Sequence, residues 1–439
     1  MTVPTVAIVG RPNVGKSTLF NRIVGGRRAI VDDRPGVTRD RHFAATDWNG
    51  HKFWLVDTGG WIGAGDELSG AIRAQVEAAI QQSDAIILVV DVQVGAHPAD
   101  FEVAEVLRPY RSRVLLAANK SDNLPDDLGF LTFHELGLGE PHPVSSATGK
   151  GSGDLLDRLV ELLPEVPLQE GPGQINVAVV GRPNVGKSSL VNRLLGEERS
   201  VVAAEAGTTR DAIDSPLRYH ARTLNFIDTA GLRKRAKVED EIEFYASLRA
   251  MRAMERADVS VLVVDAEVGI HGQDLKIART ALDYGTGLIL AVNKWDLIPE
   301  KDATMAERGR KVVVERAPFL KAFPFLYVSA LTGFRVRKVL DLILTVAETR
   351  ETRVPTSDVN RTLQSLVTRN QPPQLSGREV KLLFASQIGT KPPMFAIVSN
   401  RPDAVPESYR RYIERGFREA WDFQGVPLKF KYRRKRGRR

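Results

Sequence analysis

Two stretches of this chain combine glycines, a lysine and hydroxyl residues in the arrangement that binds phosphate groups. Each follows an apolar, strand-like run and opens a helical segment, as a phosphate loop requires. Glycines let backbone N–H groups curl around phosphates, and the helix N-terminus adds partial positive charge. We expect Lys16 and Lys187 to reach the outer phosphates and Ser17 and Ser188 to bind Mg²⁺. The first stretch comprises Gly10, Arg11, Pro12, Asn13, Val14, Gly15, Lys16, Ser17 and Thr18, and the second Gly181, Arg182, Pro183, Asn184, Val185, Gly186, Lys187, Ser188 and Ser189.

An Asp-x-x-Gly pattern lies downstream of each phosphate loop, at the end of a strand-like run. Asp57 and Asp228 can hold water on Mg²⁺, and the N–H of Gly60 and Gly231 can meet the γ-phosphate. An aspartate before glycine is usually a turn, but its position after a phosphate loop favours this role. The two runs are Asp57, Thr58, Gly59, Gly60 and Trp61, and Asp228, Thr229, Ala230, Gly231 and Leu232.

A third pair of patterns predicts which base is bound. The carboxylates of Asp122 and Asp296 can accept from the ring N–H and the amino group of guanine, whereas adenine presents the opposite pattern. A preceding asparagine and lysine support the ring, and small residues let backbone N–H groups approach guanine O6. These sets are Asn119, Lys120, Ser121, Asp122, Ser145 and Ser146, and Asn293, Lys294, Trp295, Asp296, Ser329 and Ala330. Together the motifs predict two sites for guanine nucleotides and hydrolysis of GTP to GDP.

The motifs repeat at a nearly constant distance, which indicates a duplicated domain. Gly10 returns as Gly181 (181 − 10 = 171), and Asn119 returns as Asn293 (293 − 119 = 174). Short Val/Ile/Leu runs at Thr5–Val9, Ala85–Val90 and Arg113–Ala118 alternate with helical patterns and predict buried parallel strands. We therefore expect an α/β fold. Its parts are a first GTPase domain at 1–163, a Pro/Gly-rich linker at 164–174, a second GTPase domain at 175–350, a third domain at 351–432 and a basic tail at 433–439.

Composition and charge restrict the class of protein. The chain has 439 residues and no cysteine, which excludes disulfides and thiolate nucleophiles and fits a reducing, cytoplasmic compartment. We find no apolar run near the ~20 residues of a membrane helix and no secretory signal. The net charge is +8, but residues 354–439 hold 18 Lys+Arg against 7 Asp+Glu, a net +11. The remainder is about −3, so the basic character belongs to one end.

The doubled motif set resembles the EngA (Der) family of bacterial tandem GTPases across essentially the whole chain. The resemblance implies a GTPase of large (50S) ribosomal subunit assembly whose third domain is KH-like, with rRNA and ribosomal proteins as partners. It also implies that Thr38 and Thr209 join Mg²⁺ when GTP is bound, and that Asn13 and Asn184 coordinate K⁺. From the residues alone, these asparagines are turn residues. A monomer without stable membrane association is the expected state.

Two departures affect the expected activity. Trp61 and Leu232 stand where many signalling GTPases place a water-orienting glutamine, so the sequence predicts slow intrinsic hydrolysis. Ser146 stands where the family usually has alanine, as in Ala330, so guanine affinity at the first site is open. After Gly231, the second copy has a basic segment at 232–237 that is either an RNA contact or a solvated loop.

The third domain leaves two readings open. Glu407 to Trp421 predicts a helix with the apolar stripe Tyr412, Ile413, Phe417 and Trp421, which we expect in the core rather than under RNA bases. The lysine- and arginine-rich C-terminus predicts salt-dependent phosphate binding or a solvated tail. No Gly-x-x-Gly follows Val354, so the RNA clamp of KH domains is missing. A membrane-associated GTPase, an RNA-modification-linked GTPase and a scaffold with degenerate sites are the alternatives.

Overall fold

The structure is a computed structural model that describes residues 3–25, 43–58, 76–77, 79–81, 83–122, 131–164, 174–197, 214–229, 243–299, 304–374 and 379–434. It divides into two compact units, Met1–Gln169 and Glu170–Arg439. Within the described residues, no helix is both long and apolar enough to cross a bilayer. The following predicted site residues lie outside the described ranges: Thr38, Gly59, Gly60, Trp61, Thr209, Ala230, Gly231 and Leu232. The basic segment 232–237 and residues 435–439 of the tail lie outside them as well.

The first unit contains a six-stranded sheet in the order β2-β3-β1-β4-β5-β6, in which only β2 runs antiparallel to its neighbour. Apolar cores lie on both faces, so the central strands are buried on each side, as their uninterrupted apolar runs predict. The strands are β1 Thr5–Val9, β2 Phe43–Trp48, β3 His51–Asp57, β4 Ala85–Asp91, β5 Val114–Asn119 and β6 Pro141–Pro143. The helices are α1 Lys16–Gly25, α2 Pro98–Leu107 and α3 Ser152–Leu162, with 3₁₀ turns at Arg108–Arg113 and Leu131–Leu136.

The second unit begins with a sheet of the same topology, in the order β12-β11-β10-β7-β9-β8. Its antiparallel pair is again the hairpin at one edge. The strands are β7 Gln174–Val180, β8 Ser215–Tyr219, β9 Arg222–Ile227, β10 Val259–Asp265, β11 Gly287–Asn293 and β12 Phe325–Tyr327. The helices are α4 Lys187–Glu197, α5 Glu243–Arg256, α6 Gly272–Tyr284, α7 Met305–Arg316 and α8 Arg337–Glu351, with 3₁₀ turns at Trp295–Leu297 and Pro318–Ala322. The structure thus confirms the duplicated, mostly parallel α/β fold.

A smaller α/β domain completes the second unit. Its sheet has the order β13-β14-β15, and both of its α-helices belong to one core that packs on one face of that sheet. Ile413 and Phe417 are fully buried there, and Tyr412 and Trp421 pack against them, which confirms the apolar stripe as core. The elements are α9 Thr356–Arg369, β13 Leu382–Gly389, β14 Met394–Ser399, α10 Glu407–Ala420 and β15 Lys429–Arg434, with a 3₁₀ turn at Pro402–Ala404.

The small domain is joined to the second GTPase domain by backbone pairing and a buried side chain. Gly425 donates its N–H to Ala322 O at 2.8 Å and accepts from Leu288 N at 2.8 Å, directly at the start of β11. Val426 is fully buried in the core of the GTPase domain. Arg350, at the end of α8, donates to Asp258 at 2.6 Å. Because buried apolar contact and backbone hydrogen bonds cross this boundary, the two domains pack as one body at this edge.

Candidate nucleotide sites

The two phosphate loops require glycine at the same two places. A Cβ on Gly10 would lie 2.4 Å from Val89 O, and one on Gly15 would lie 2.3 Å from Asn119 Nδ2. Gly181 and Gly186 face the same obstacles in the second copy, at 2.4 and 2.2 Å. All four have φ between +92° and +146°, where a side chain is strained. The loops therefore bring their backbone close to neighbouring strands and leave their concave side open.

The loop lysines fold over the phosphate cradle. Lys16 Nζ donates to Gly10 O at 2.7 Å and to Arg11 O at 2.8 Å, and Lys187 Nζ donates to Arg182 O at 2.6 Å. Burial lowers the pKa of Lys16 to about 8, against the opposing effect of the nearby Asp57 carboxylate. An incoming phosphate would restore the charge balance that burial disturbs, so the lysine fits an anion at this place.

The first turns of α1 and α4 place the predicted metal and phosphate hydroxyls beside the cradle. Ser17, Thr18 and Ser189 are exposed and Ser188 is half-buried, so these hydroxyls face outward rather than into the core. The remaining loop residues differ in burial and backbone conformation. Val14 and Val185 are buried, and Asn13 and Asn184 have φ of +66° and +62°, a left-handed conformation that asparagine tolerates.

The arginines of the loops point away from the cradle. Arg182 Nε lies 3.0 and 2.9 Å from the two carboxylate oxygens of Asp274, and Arg11 Nε lies 3.4 Å from Asp100. Both aspartates are fully buried, Asp100 in the first turn of α2 and Asp274 in the first turn of α6. Burial raises the pKa of Asp100, and Arg11 opposes that rise. The guanidinium groups therefore position the loop and leave only the backbone of these residues for phosphate.

The switch aspartates lie at the ends of β3 and β9, next to the phosphate loops. Asp57 is paired with Ile8 of β1, and Thr58 Oγ1 donates to Ile8 O at 2.8 Å. Asp228 has φ of +57° and its N–H donates to Asp214 at 2.9 Å. Burial raises the pKa of Asp228 to about 6, and the arginines of α5 counteract it. Buried Thr229 exchanges a hydrogen bond with Ser215 at 2.7 Å.

The asparagines of the base motifs tie three loops together. Asn119 Nδ2 donates to Val14 O at 2.7 Å, and its Oδ1 accepts from Ser146 N at 2.9 Å. In the second copy, Asn293 bonds Val185 O and Ala330 N, both at 2.9 Å. The amide therefore fixes the base loop to the phosphate loop. Ser121 N and Trp295 N extend this frame by donating to Val144 O at 3.2 Å and Val328 O at 3.1 Å.

Each base-motif lysine forms an ion pair that the sequence analysis missed. Lys120 Nζ lies 2.6 Å from Asp91, and Lys294 Nζ lies 2.6 Å from Asp265. The lysines have φ of +67° and +61°. The sequence did contain a pattern that could have indicated the two aspartates. Each ends an apolar, strand-like run, and the two are separated by the repeat distance (265 − 91 = 174). The pair holds the aliphatic stem of the lysine where a base plane can rest.

A second pair of residues that the sequence analysis did not identify donates hydrogen bonds to the carbonyls of the base loops. Arg22 donates to Ser146 O at 3.1 Å and to Ala147 O, and Arg193 donates to Ala330 O at 3.2 Å and to Leu331 O. These arginines are separated by the repeat distance of 171 (193 − 22). Because the Ser146 and Ala330 carbonyls accept from these arginines, the next N–H groups, those of Ala147 and Leu331, point the opposite way across the planar peptide, where guanine O6 is expected.

The carboxylates predicted to select guanine have different partners in the two copies. Asp122 Oδ1 accepts from Ser145 Oγ and, at 3.2 Å, from Thr148 Oγ1. Asp296 Oδ1 is buried and has no hydrogen-bond partner among the residues that the structure describes. An orphaned carboxylate oxygen is costly unless a donor reaches it, and guanine supplies two donors. The residues present therefore fit a guanine nucleotide. The strongest indication is in the second site, where Asp296 offers a buried acceptor to the base.

Comparison with known proteins agrees with this geometry. The model of the family described as "50S ribosome-binding GTPase" matches residues 5–120 and 176–294, and that of the "KH-domain-like of EngA bacterial GTPase enzymes, C-terminal" matches 353–433. GTPase Der of Gemmatimonas aurantiaca is 52% identical over 99% of this chain and 100% of its own length. GTPase Der of Moorella thermoacetica is 48% identical over the full length of both chains, and that of Pelotomaculum thermopropionicum is 47% identical over 99% of both. The chain therefore belongs to the Der (EngA) family of GTPases, with two P-loop GTPase domains and a KH-like C-terminal domain.

Proposed function

We propose that this GTPase acts in the assembly of the large ribosomal subunit, which it binds with an affinity set by its nucleotides. It works as a cytoplasmic monomer, and its partners are the rRNA and proteins of that subunit. The family model's description as a 50S ribosome-binding GTPase and the basic C-terminal domain support this assignment. Hydrolysis occurs at both sites and is slow unless a partner positions the water.

One observation carries the proposal: a single strand connects the guanine site to the RNA-associated domain. β11 begins at Gly287, beside the backbone pair between Leu288 and Gly425 of the small domain. It ends at Asn293, which binds both the phosphate loop and the base loop. A strand buried in a sheet transmits displacement with little deformation. Nucleotide at the second site can therefore bias how the C-terminal domain is held.

The roles at each site follow from the positions of the side chains. The loop amides with Lys16 and Lys187 hold the phosphates, and Asp122 and Asp296 select guanine. Ser17, Asp57, Ser188 and Asp228 would hold Mg²⁺, together with Thr38 and Thr209 of the switch segments. That ion neutralises charge on the β- and γ-phosphate oxygens. The N–H groups of Gly60 and Gly231 would meet the γ-phosphate.

The proposal includes K⁺ beside the phosphates, with Asn13 and Asn184 as ligands. Their side chains are exposed at the top of the loops, where an ion can reach them. The expected result is faster hydrolysis in potassium than in sodium at equal ionic strength. The alanine variants N13A and N184A should lose that difference at their own sites. Equal rates in both salts would remove K⁺ from the mechanism.

Co-sedimentation with purified large ribosomal subunits tests the function. Binding is measured with a non-hydrolysable GTP analogue, with GDP and without nucleotide, at low and moderate salt. We expect the analogue to strengthen binding, and K187A to abolish that gain. A matched control, K338A, changes an exposed lysine of α8. Binding that ignores nucleotide and disappears with salt would show only charge attraction and would overturn the proposal, while the GTPase assignment stood.

A further inference from the structure

One face of the sheet in the C-terminal domain is not covered by α9 or α10. Its Met394–Lys429 end meets α6, where Lys429 Nζ donates to Asp283 O at 2.8 Å, and Ala396 in the middle of the face is only 6% exposed. α9 and α10 pack on the opposite face. Strand pairing places Phe384, Val398 and Arg433 in one row across the three strands. It places Ser386, Ala396 and Lys431 in the next row. We call these six residues the open face.

Alternation along the strands confirms which way these side chains point. Phe395 and Ile397 of β14 are fully buried under the helices. Tyr432 of β15 also faces the helices, because the Arg410 guanidinium of α10 lies 4.7 Å above its ring. Neighbours along a strand point to opposite faces. Val398 and Arg433 must therefore point away from the helices.

A bulge in β13 brings apolar side chains to this face. The pairing with β14 shifts between Leu382 and Phe384, so one extra residue is inserted there. Leu382 remains buried, whereas Leu383 is 40% exposed and Phe384 is 45% exposed. Bulges commonly re-aim side chains at functional sites. A single exposed ring is ordinary on a protein surface, but Leu383, Phe384 and Ile388 of β13 are all at least 40% exposed, so the strand carries an apolar stretch.

Charge indicates what kind of partner this is. Phe384 shares its row with Arg433, and Lys431 lies in the next row on the same strand. The domain that carries them has a net charge of +11 over residues 354–439. An aromatic ring beside cations binds an unpaired nucleotide, because the base stacks on the ring while the cations meet the phosphates. A duplex hides its bases and would leave the ring unused.

We propose that the open face binds single-stranded RNA, with an unpaired base stacked on Phe384 and its flanking phosphates held by Lys431 and Arg433. This inference rests on the proposed function only for the source of the RNA, a loop of ribosomal RNA. It gives the domain an RNA surface that differs from the Gly-x-x-Gly clamp, which the sequence lacks.

Fluorescence anisotropy on the full-length chain tests the face. The probes are a labelled RNA hairpin with an unpaired loop and a fully paired RNA duplex. We expect F384A to weaken hairpin binding about tenfold and to leave duplex binding unchanged. F384W should restore hairpin binding, because it restores a stacking surface. The pair K431Q and R433Q should each lower the slope of log affinity against log salt by about 0.7.

Matched controls distinguish a specific effect of the open face from a general loss of charge or apolar surface and from unfolding. V312A truncates an apolar residue that is 64% exposed on α7, and R415Q removes an exposed arginine on the helical side of the same domain. Both should bind the hairpin nearly as the unchanged chain does. Circular dichroism of F384A establishes that it folds.

Three results would overturn the inference. F384A could bind the hairpin like the unchanged chain, or R415Q could match R433Q in its salt slope. F384A could also retain RNA binding but scatter X-rays as a more expanded chain, in which case the face docks another part of the same protein. None of these depends on nucleotide-gated subunit binding. Failure of the sedimentation experiment and failure of this one are therefore distinguishable.

Discussion

The two GTPase domains share most hydrogen bonds of the frame around the base motifs but differ at the base-motif aspartate and on the phosphate side. In both, an asparagine joins the phosphate and base loops, and a lysine pairs with the aspartate that ends the neighbouring strand. In both, an arginine of the first helix holds the base loop. The asparagines and the aspartates of the frame lie at the ends of strands buried on both faces, and the first helix adds the arginine. Such positions tolerate little change, which explains why it is duplicated so closely.

The switch aspartates have different surroundings. In the second copy, Asp214 accepts from Asp228 N at 2.9 Å and from Arg256 at 2.7 Å, so an ion-pair network lies beneath the switch. The first copy has Phe43 and Gln82 at the corresponding positions (214 − 171 and 256 − 174). That network cannot form under Asp57. The comparison teaches that base selection was kept while the connection around the Mg²⁺ site diverged, which fits two sites with separate tasks.

The largest effect we expect comes from exchanging the base-selecting carboxylates. D122N and D296N each replace an acceptor by a donor that faces the donors of guanine. Losing two hydrogen bonds to a charged group costs about 3–6 kcal/mol of GDP binding free energy. Xanthosine diphosphate, which has an acceptor in place of the amino group, should bind instead. Calorimetric titration measures both ligands, with the other site silenced by K187A or K16A.

The affinity for xanthosine diphosphate that these substitutions create should differ between the two sites. In D122N, the hydroxyls of Ser145 and Thr148 orient the new amide, because they keep donating to its oxygen and turn its NH₂ toward the base. At Asp296 no described residue bonds the corresponding oxygen, so the amide of D296N lacks this orienting contact. We expect tighter xanthosine diphosphate binding by D122N than by D296N. The reverse order would contradict the described difference.

We expect a smaller effect, on the free energy of unfolding, when Arg256 of the second copy is replaced by glutamine, the residue that the first copy has at the corresponding position. R256Q leaves Asp214 without its cation, although both side chains are only 19% exposed. An unpaired, mostly buried carboxylate costs about 1–3 kcal/mol of unfolding free energy. Urea denaturation measures it, and the double variant D214N/R256Q should recover part of the loss.

The matched control for that measurement is R158Q. Arg158 pairs with Glu161 at 2.9 Å, but the two side chains are 61% and 62% exposed. Exposed pairs contribute little to stability, because solvent screens the charges and both side chains lose freedom. If R256Q lowers the free energy of unfolding no more than R158Q does, the ion-pair network beside Asp228 does not stabilise the fold.

The fold and the nucleotide motifs were readable from sequence, because they depend on local patterns. Glycine spacing and buried strand runs predicted the loops, and Asn-Lys-x-Asp predicted the base site. Long-range partners were not readable. Nothing near Lys120 in the sequence indicates Asp91, and Arg22 reaches a loop 124 residues away. The open face was missed because a bulge in β13 breaks the alternation that a reader of the sequence would follow.

The smallest expected effect concerns the position where the first copy departs from the family. Ser146 is buried, and its Oγ donates to Asn119 Oδ1 at 2.8 Å, beside the backbone N–H that bonds the same oxygen. The hydroxyl is thus satisfied inside the frame and does not intrude on the base. S146A should cost at most about 1 kcal/mol of unfolding free energy, and GDP affinity should change by less than about threefold. The reciprocal A330S should be nearly neutral, because Asn293 offers the same acceptor at 2.9 Å from the backbone N–H. A tenfold rise in GDP affinity of S146A would mean that the hydroxyl does weaken the first site, and that the guanine frames are less alike than their distances indicate.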